Sequence, residues 1–347
     1  MKGVLSRARH AGHRRRAFYF VRALFTLAAL WPSLAAADDI KIGILKVSGS
    51  GLVFIAQEKG YFKAEGLNAQ LVFFESAQPI SVATASGDVD VGVTGLTGGL
   101  YSLGGQGALR IIGGGAREVP GFNYQTYLVS NRAYDAGARG YKDFPGHTFG
   151  LSQIGSPPHY SLALIGEKYG FDLKNMRIMP LQSIANIMSA IIGGQVDFTL
   201  LPGTTTIPAI QRGEVKLLGW AGAETPYQLV AAFVSTKTAN ERGTMIRHFL
   251  NAYRNAARDY HDALSDGAEQ RRDGRNAGEI VDILARYTGI SAEQVKLGIP
   301  WVDGEQRVDV KDVLRQIAWY QSQGMVKGTI NGDEFIDKRY VVPLPER

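Results

Sequence analysis

The sequence predicts a two-lobed α/β protein in which each lobe is a mostly parallel sheet flanked by helices. Two crossover strands are expected to join the lobes. An internal repeat and, within each copy, strands alternating with helices carry this prediction. "IKIGILKVSGSG" meets "HTFGLSQIGSPP", which sets Gly43 opposite Gly150, and "IAQEKGYF" (55–62) meets "IGEKYGF" (165–171). "VATASGDVDVGVTG" meets "SAIIGGQVDFTLLP", with Gly87 opposite Gly194 and Asp90 opposite Asp197. "GALRIIGGGA" (107–116) meets "GEVKLLGWAG" (213–222). Three of these anchors lie 107 residues apart and Gly107/Gly213 lie 106 apart. A period held over four blocks marks two copies of one structural unit.

Each copy reads as strand, helix, strand, helix, strand, helix, strand. In the first, "IKIGIL" is a strand and Leu52–Phe62 a helix ended by Gly60. "AQLVFF" is the second strand, and Pro79–Ser86 a helix with Pro79 in its first turn and Gly87 as its left-handed cap. "DVGV" and "LRIIGG" are the third and fourth strands. Strands separated by helices wind into parallel sheets, whose carboxyl ends carry the ligand sites of α/β folds. "NYQTYLVSNRA" (123–133) and "YQLVAAFVSTKTA" (227–239) read as the extended crossovers out of and back to the first lobe. Lobe 1 is therefore 38–122 and 228–347, and lobe 2 is 123–227. Helices near Arg247–Leu264, Ala277–Tyr287 and Val310–Gln323 have no copy and are expected to pack on lobe 1, with "SDGAEQRRDGRN" as an exposed loop.

Residues 1–37 stand apart from this pattern. They hold Lys2, Arg7, Arg9, Arg14, Arg15, Arg16 and Arg22 but no acid, followed by "ALFTLAAL", Pro32 and small residues ending in Ala35 and Ala37. A basic start, a short apolar run and an A-x-A site describe a cleavable export signal. The run is too short to span a bilayer. "RRRAF" also resembles a twin-arginine signal, so both that route and the general secretory route stay open. The signal takes seven of the 38 basic residues and leaves 31 against 32 acids. The mature chain is near neutral, which gives no footprint for nucleic acid. The chain has no cysteine, which excludes disulfides, thiolate metal sites and a lipid-bearing cysteine. These features predict a soluble periplasmic protein, read as a monomer.

The loops that follow strands and open helices are the candidate ligand-binding residues: "SGSG" (48–51), "TGLTGG" (94–99) and "GSPPH" (155–159). Free N–H groups and the positive end of a helix dipole favour anions there. Ser48, Gly49, Ser50, Thr94, Gly95, Thr97, Gln153 and Ser156 are named on that ground, each hydroxyl having the alternative of a plain helix cap. His159 sits in a first helical turn, as a ligand contact or an ordinary surface residue. Arg117 follows the fourth strand beside the expected hinge, to pair a ligand carboxylate or to be a surface charge. "PGTTT" supplies Pro202, Gly203 and Thr204 as the second-lobe counterpart. Tyr124, Trp220 and Tyr227 lie near the crossovers, for stacking on an aromatic ligand or for hinge packing. Asp88 and Asp90 are two apart, but Asp90 has a twin in Asp197 and Asp88 does not. One carboxylate per lobe reads as strand-start hydrogen bonding rather than an acid pair.

With these residues named, "IKIGI…VFIAQEKGYFKAEGLNAQLVFF…ASGDVDVGVTG" resembles the start of periplasmic substrate-binding proteins of ABC importers. The similar branch handles sulfonate, taurine, nitrate and thiamine-precursor-like ligands. "YKDFPGHTFGLSQIGSPPH", "GGQVDFTLLP" and the ending "VLRQIAWYQSQGMVKGTI…FIDKRYV" are similar to later segments of that family. The resemblance spans essentially the whole mature chain. It implies a type 2 periplasmic binding fold, a small organic anion (sulfonate- or carboxylate-like, or aromatic) as ligand, and a membrane permease with its cytoplasmic ATPase as partners. The acid that other members place before the proline is Leu201 here.

Catalytic signatures are missing. His147, His159, His248 and His261 show no metal-ligand spacing, and neither a G-x-S-x-G elbow nor a phosphate-binding loop occurs. No metal, cofactor or catalytic residue is expected. The competing expectation is an enzyme on the same two-lobed fold, of the pyrimidine-forming or menaquinone-pathway type.

Overall fold

Among the described residues, thirteen strands form three sheets. The computed structural model describes residues 37–266, 270–326 and 329–345. The expected export signal and part of the loop after Leu264 lie outside the described residues. β1 (Asp38–Ile44), β2 (Leu67–Phe73), β3 (Val91–Gly95) and β4 (Leu109–Gly114) come first, then β5 (Ala116–Glu118). β6 (Gln125–Ser130), β7 (Thr148–Leu151), β8 (Arg177–Pro180), β9 (Phe198–Pro202) and β10 (Val215–Trp220) follow. β11 (Tyr227–Gln228), β12 (Val230–Ser235) and β13 (Trp301–Val302) complete the series.

The repeat is visible as topology. The first sheet runs β2-β1-β3-β12-β4 and the second β8-β7-β9-β6-β10, the same order copy for copy. Within each, one strand runs against the other four: β12 is antiparallel to β3 and β4, and β6 to β9 and β10. The expected crossovers are thus central strands rather than connectors, and each sheet is mixed. The reason is geometric. A strand arriving from the other lobe enters at the rim where the remaining four strands end, so it runs opposite to them. Inserted there, it pairs backbone groups that would otherwise be left open between the third and fourth strands.

The twin carboxylates do the same work in each sheet. Asp90 accepts the Lys41 N–H at 2.8 Å and Asp197 that of Thr148 at 2.9 Å, and each returns a backbone N–H to the same residue's carbonyl. Both meet an arginine that follows the inserted strand, Arg242 on Asp90 and Arg132 on Asp197 at 2.8 Å. Asp88 is exposed and bonds Ser86 instead, so the two carboxylates of "GDVDVG" do not form an acid pair. The preceding turns are twins too, with Gly87 at φ 87° and Gly194 at φ 69°, the left-handed region that a Cβ disfavours.

Successive strand residues point to opposite faces, and both faces of each sheet are covered by helices. In the second sheet Tyr127, Phe198 and Leu200 pack on one side with Phe144 and Phe149. Leu128 and Leu201 face the other, with Ile187 and Ile191. The late helices depart from expectation. Gly243–Leu264 and Ala277–Thr288 lie on Gly51–Glu58 of the first lobe as expected. Val310–Ser322 and Ala292–Leu297 also reach the second. Arg315 Nε donates to Tyr160 Oη at 2.8 Å, Tyr320 Oη to the Ser156 carbonyl at 3.3 Å, and Gln294 Nε2 to Gln211 Oε1 at 3.1 Å. Trp319 and Tyr320 bury their large rings against Tyr160, and that face draws the helix across both lobes.

Candidate functional site

The chain crosses between the sheets twice, and the two crossings pair with each other. β5 and β11 are antiparallel, Arg117 opposite Gln228 and Glu118 opposite Tyr227, and β13 flanks β5 on its other edge. Two crossings held as one ribbon suit a hinge about which packed lobes rotate as units. Glu118 is completely buried in this ribbon; burial pushes its carboxyl well above the usual range, and its Oε1 accepts the Gln125 N–H at 3.2 Å.

A cavity of about 80 Å³ lies where the two sheets' rims meet. The first lobe contributes Val47, Gly49 and Ser50 after β1, Ser76 and Ala77 after β2, and Thr94 and Gly95 at the end of β3. The second contributes Ser152, Pro157 and Pro158 after β7, Ile184 and Ile187 after β8, and Leu201 and Pro202 at the end of β9. The inserted strands begin at the same rim, with Val230 from one and Gln125 from the other, beside Tyr124. The repeat therefore brings equivalent strand ends face to face. Among the described residues, no Asp, Glu, Lys, Arg or His lines this cavity.

Of the residues named from sequence, Gly49, Ser50, Thr94, Gly95 and Pro202 line the cavity. Thr94 is buried, and its Oγ1 has no hydrogen-bond partner. Gly95 packs closely on the second lobe: a Cβ there would stand 2.7 Å from Pro157 Cγ. A Cβ on Gly49 would stand 2.6 Å from Tyr124 Oη. Tyr124 is buried, and burial pushes its phenol well up.

The others stand elsewhere. Ser48 Oγ donates to the Gly298 carbonyl at 2.8 Å. Thr97 is a helix cap, accepting the Leu100 N–H at 3.0 Å and donating to Gln78 Oε1 at 2.6 Å. Ser156 precedes Pro157–Tyr169, but the first two helical positions are prolines without N–H groups, and its hydroxyl is buried without a partner. Thr204 Oγ1 is likewise buried and unpartnered, on a helix whose Gly203 N–H donates to the Tyr124 carbonyl at 2.6 Å. The Gln153 carbonyl accepts the Ser156 N–H, and the side chain lies off the cavity wall. His159 is buried, its Nδ1 accepting the Gly155 N–H at 3.1 Å and its ring edge-on to Trp319. Burial lowers its pKa to about 4.

Arg117 departs furthest from expectation. It lies on the hinge ribbon, pairs with Asp309 at 2.6 Å and stacks over Trp301 at 5.3 Å, facing a separate groove with His261 and Asp303. Trp220 is off the cavity, and Tyr227 is hinge packing, its hydroxyl donating to Gln125 Oε1 at 2.9 Å. Sequence reasoning missed Ser76, Ala77, Ile184 and Ile187. The signal was present, because the loops after β2 and β8 open helices as the others do.

Anion binding at these loops needs open helix N-termini, and most are occupied. Gly98 N–H donates to the Gly155 carbonyl at 2.8 Å, joining the "TGLTGG" and "GSPPH" loops to each other. Asn186 N–H bonds its cap Ser183. One helix N-terminus is worth about 0.3–2 kcal/mol to an anion. Burying an unpaired charge costs several kcal/mol, so this wall disfavours a bare anion.

Two α/β lobes of one topology, joined by a paired ribbon and closing a cavity between equivalent strand ends, define the two-lobed binding-protein fold. A family model described as NMT1/THI5 like matches residues 49–263, and the chain belongs to that family. Similar solved structures include the periplasmic aliphatic sulphonate binding protein SsuA from Escherichia coli. It is 17% identical, with 87% of this chain and 98% of that one covered and a TM-score of 0.67. The periplasmic nitrate-binding protein NrtA from Synechocystis PCC 6803 is 12% identical, with 87% and 86% covered and a TM-score of 0.65. The desulfurization enzyme DSZB is 16% identical, with 87% and 97% covered and a TM-score of 0.56. At these identities the likeness is one of fold. No curated protein matches the chain.

Proposed function

We propose that the chain is the extracytoplasmic solute-binding component of an ABC importer. Its lobes close by hinge motion on a small organic solute in the periplasm and deliver it, as a monomer, to a membrane permease driven by a cytoplasmic ATPase. The observation that carries this reading is the cavity built from equivalent strand ends of two lobes that share a two-strand hinge. A volume of about 80 Å³ has room for roughly five to eight water-sized groups, which sets a small ligand. The sequence expectation of an organic anion is narrowed here to a small organic solute, because the wall offers no side-chain cation and the loop donors are largely occupied.

The enzyme alternative keeps its place because DSZB shares the fold. A serine, threonine or tyrosine hydroxyl, such as those of Ser50, Ser76, Thr94, Tyr124 and Ser152 on the wall, becomes catalytic when a neighbouring carboxylate, imidazole or amine activates it. Among the described residues no such activating group lines the wall, which favours binding without chemistry. The test is a solute screen on the purified mature chain by thermal shift, with the solute recovered afterwards. The expected result is a saturable rise in melting temperature and an unchanged solute. A chemically altered solute would replace this reading with the enzymatic one.

A further inference from the structure

We infer that the interlobe cavity selects an uncharged solute: a compact apolar body with one hydrogen-bonding end. The inference rests on the solute-binding reading above and specifies its ligand. Three features support it.

The first is that, among the described residues, no ionisable carboxylate, amine, guanidinium or imidazole side chain lines the wall. The nearest expected cation, Arg117, is bound to Asp309 outside the cavity. A formal charge entering this space would lose its water and meet no opposite charge.

The second is that three of the loops suited to anions have their donors engaged within the protein. Gly98 N–H is bonded to the Gly155 carbonyl, and Gly203 N–H to the Tyr124 carbonyl. Pro157 and Pro158 open their helix without N–H groups, and the next N–H, of His159, returns to the Ser156 carbonyl. The helices Gly51–Glu58 and Ala77–Ser86 are exceptions, since their caps Ser50 and Ser76 make no side-chain capping bond.

The third is an open polar position beside that helix. Thr94 Oγ1 is buried, unpartnered and on the cavity wall, the same wall that carries Ser76 and Ala77. Opposite stand Ile184, Ile187 and Leu201. This pairing of one small polar corner with an aliphatic wall fits a neutral amide, ketone or alcohol whose carbon skeleton faces the second lobe.

The experiment uses isosteric pairs on the unmodified mature chain at pH 7.5, where every acid tested is ionised. The pairs are butanamide with butanoate, benzamide with benzoate, and propanesulfonamide with propanesulfonate. Calorimetry is expected to give the neutral member of at least one pair an affinity about tenfold or more above its anion. Equal or tighter binding of the anions overturns the inference and leaves the solute-binding reading standing. No binding by either member of any pair overturns both. The variant Leu201→Lys supplies the missing cation, and a circular dichroism melt checks its fold. If folded, it is expected to reverse the order within a pair; an unchanged order would show that charge at this wall does not govern selection and would overturn the inference.

Discussion

Thr94 and Leu201 hold the same place in the two lobes. Each is the fourth residue of its strand, and each pairs with the inserted antiparallel strand, Thr94 with Ala231 and Leu201 with Thr126. They are 107 residues apart, the period of the repeat. One step back along the same strands the copies agree in keeping Val93 and Leu200 apolar, and further back Asp90 and Asp197 bond the same strand starts. At the rim they part company. Beside Leu45, Val47 and Ala77 the first lobe presents Gly49, Ser50, Ser76 and Thr94; beside Ser152 the second presents Pro157, Ile184, Ile187 and Leu201. A duplicated fold is thus held constant where backbone groups must be paired and diverges at the cavity rim. The result is a cavity whose first-lobe side is richer in small hydroxyl residues and whose second-lobe side is richer in bulky aliphatic ones.

The largest expected difference between the lobes is in acid. His159 occupies the first turn of the second-lobe helix, where the first-lobe helix Gly51–Glu58 carries Leu52 and Val53. Burial lowers the histidine from 6.5 to about 4, so the unfolded chain takes up the proton first. The stability linked to this group is present in full above about pH 6.5 and is lost progressively as the pH falls to about 4. The full loss is on the order of 3 kcal/mol. Urea midpoints measured from pH 7.5 to 4 are expected to fall less steeply for His159→Gln than for the unaltered chain. Parallel profiles would show that His159 is not the group responsible.

Much of this was legible in the chain itself, and what was not has a physical cause. The period of 107 located the twin sheets, the caps at Gly87 and Gly194, and the rim residues Thr94 and Pro202. Periodicity could not reveal that Thr126–Val129 and Val230–Val234 sit inside the sheets, because an extended connector and a central strand have the same apolar pattern. Nor could it place Arg117. Asp309, its partner, is 192 residues away, and no local spacing encodes such a pairing. Tyr124 was open between stacking on a ligand and hinge packing; it follows the hinge strand β5 and lines the cavity. The Gly98 N–H bond to the Gly155 carbonyl was beyond sequence reasoning for the same reason as Arg117: that donor is seen to be engaged only when the other lobe's carbonyl is in place.

The twin carboxylates offer a smaller contrast. Asp197 is buried and receives the Thr148 N–H and Arg132, with His147 at 3.2 Å. Asp90 is half-buried and receives the Lys41 N–H and Arg242. Removing Asp197 leaves a buried N–H unpaired, at about 1–3 kcal/mol, while its bridge to the exposed Arg132 adds about 1 kcal/mol or less. Asp197→Ala is therefore expected to destabilise the chain by roughly 2–4 kcal/mol and Asp90→Ala by about 1–2 kcal/mol. Chemical denaturation of the two variants checks the order. If Asp90→Ala is the more damaging, strand-start bonding is not what the repeat preserves.

The smallest effect is the most informative about the rim. Thr94→Val exchanges a buried, unpartnered hydroxyl for a methyl of nearly the same shape. Within the protein nothing is lost, so stability is expected to hold or to rise by up to about 1 kcal/mol. Leu201→Thr makes the opposite change at the twin position. It places a hydroxyl in an aliphatic wall and removes buried carbon, and it is expected to cost about 1–3 kcal/mol. The asymmetry follows directly from the two environments, since the residues share strand position, pairing and burial. A solute that uses Thr94 should then bind the Thr94→Val protein about fivefold more weakly, the worth of one hydrogen bond, although that protein is at least as stable. Equal destabilisation by the two substitutions would mean that Thr94 is already paired within the chain. The polar side of the cavity would then be structural, and recognition would have to come from the aliphatic side alone.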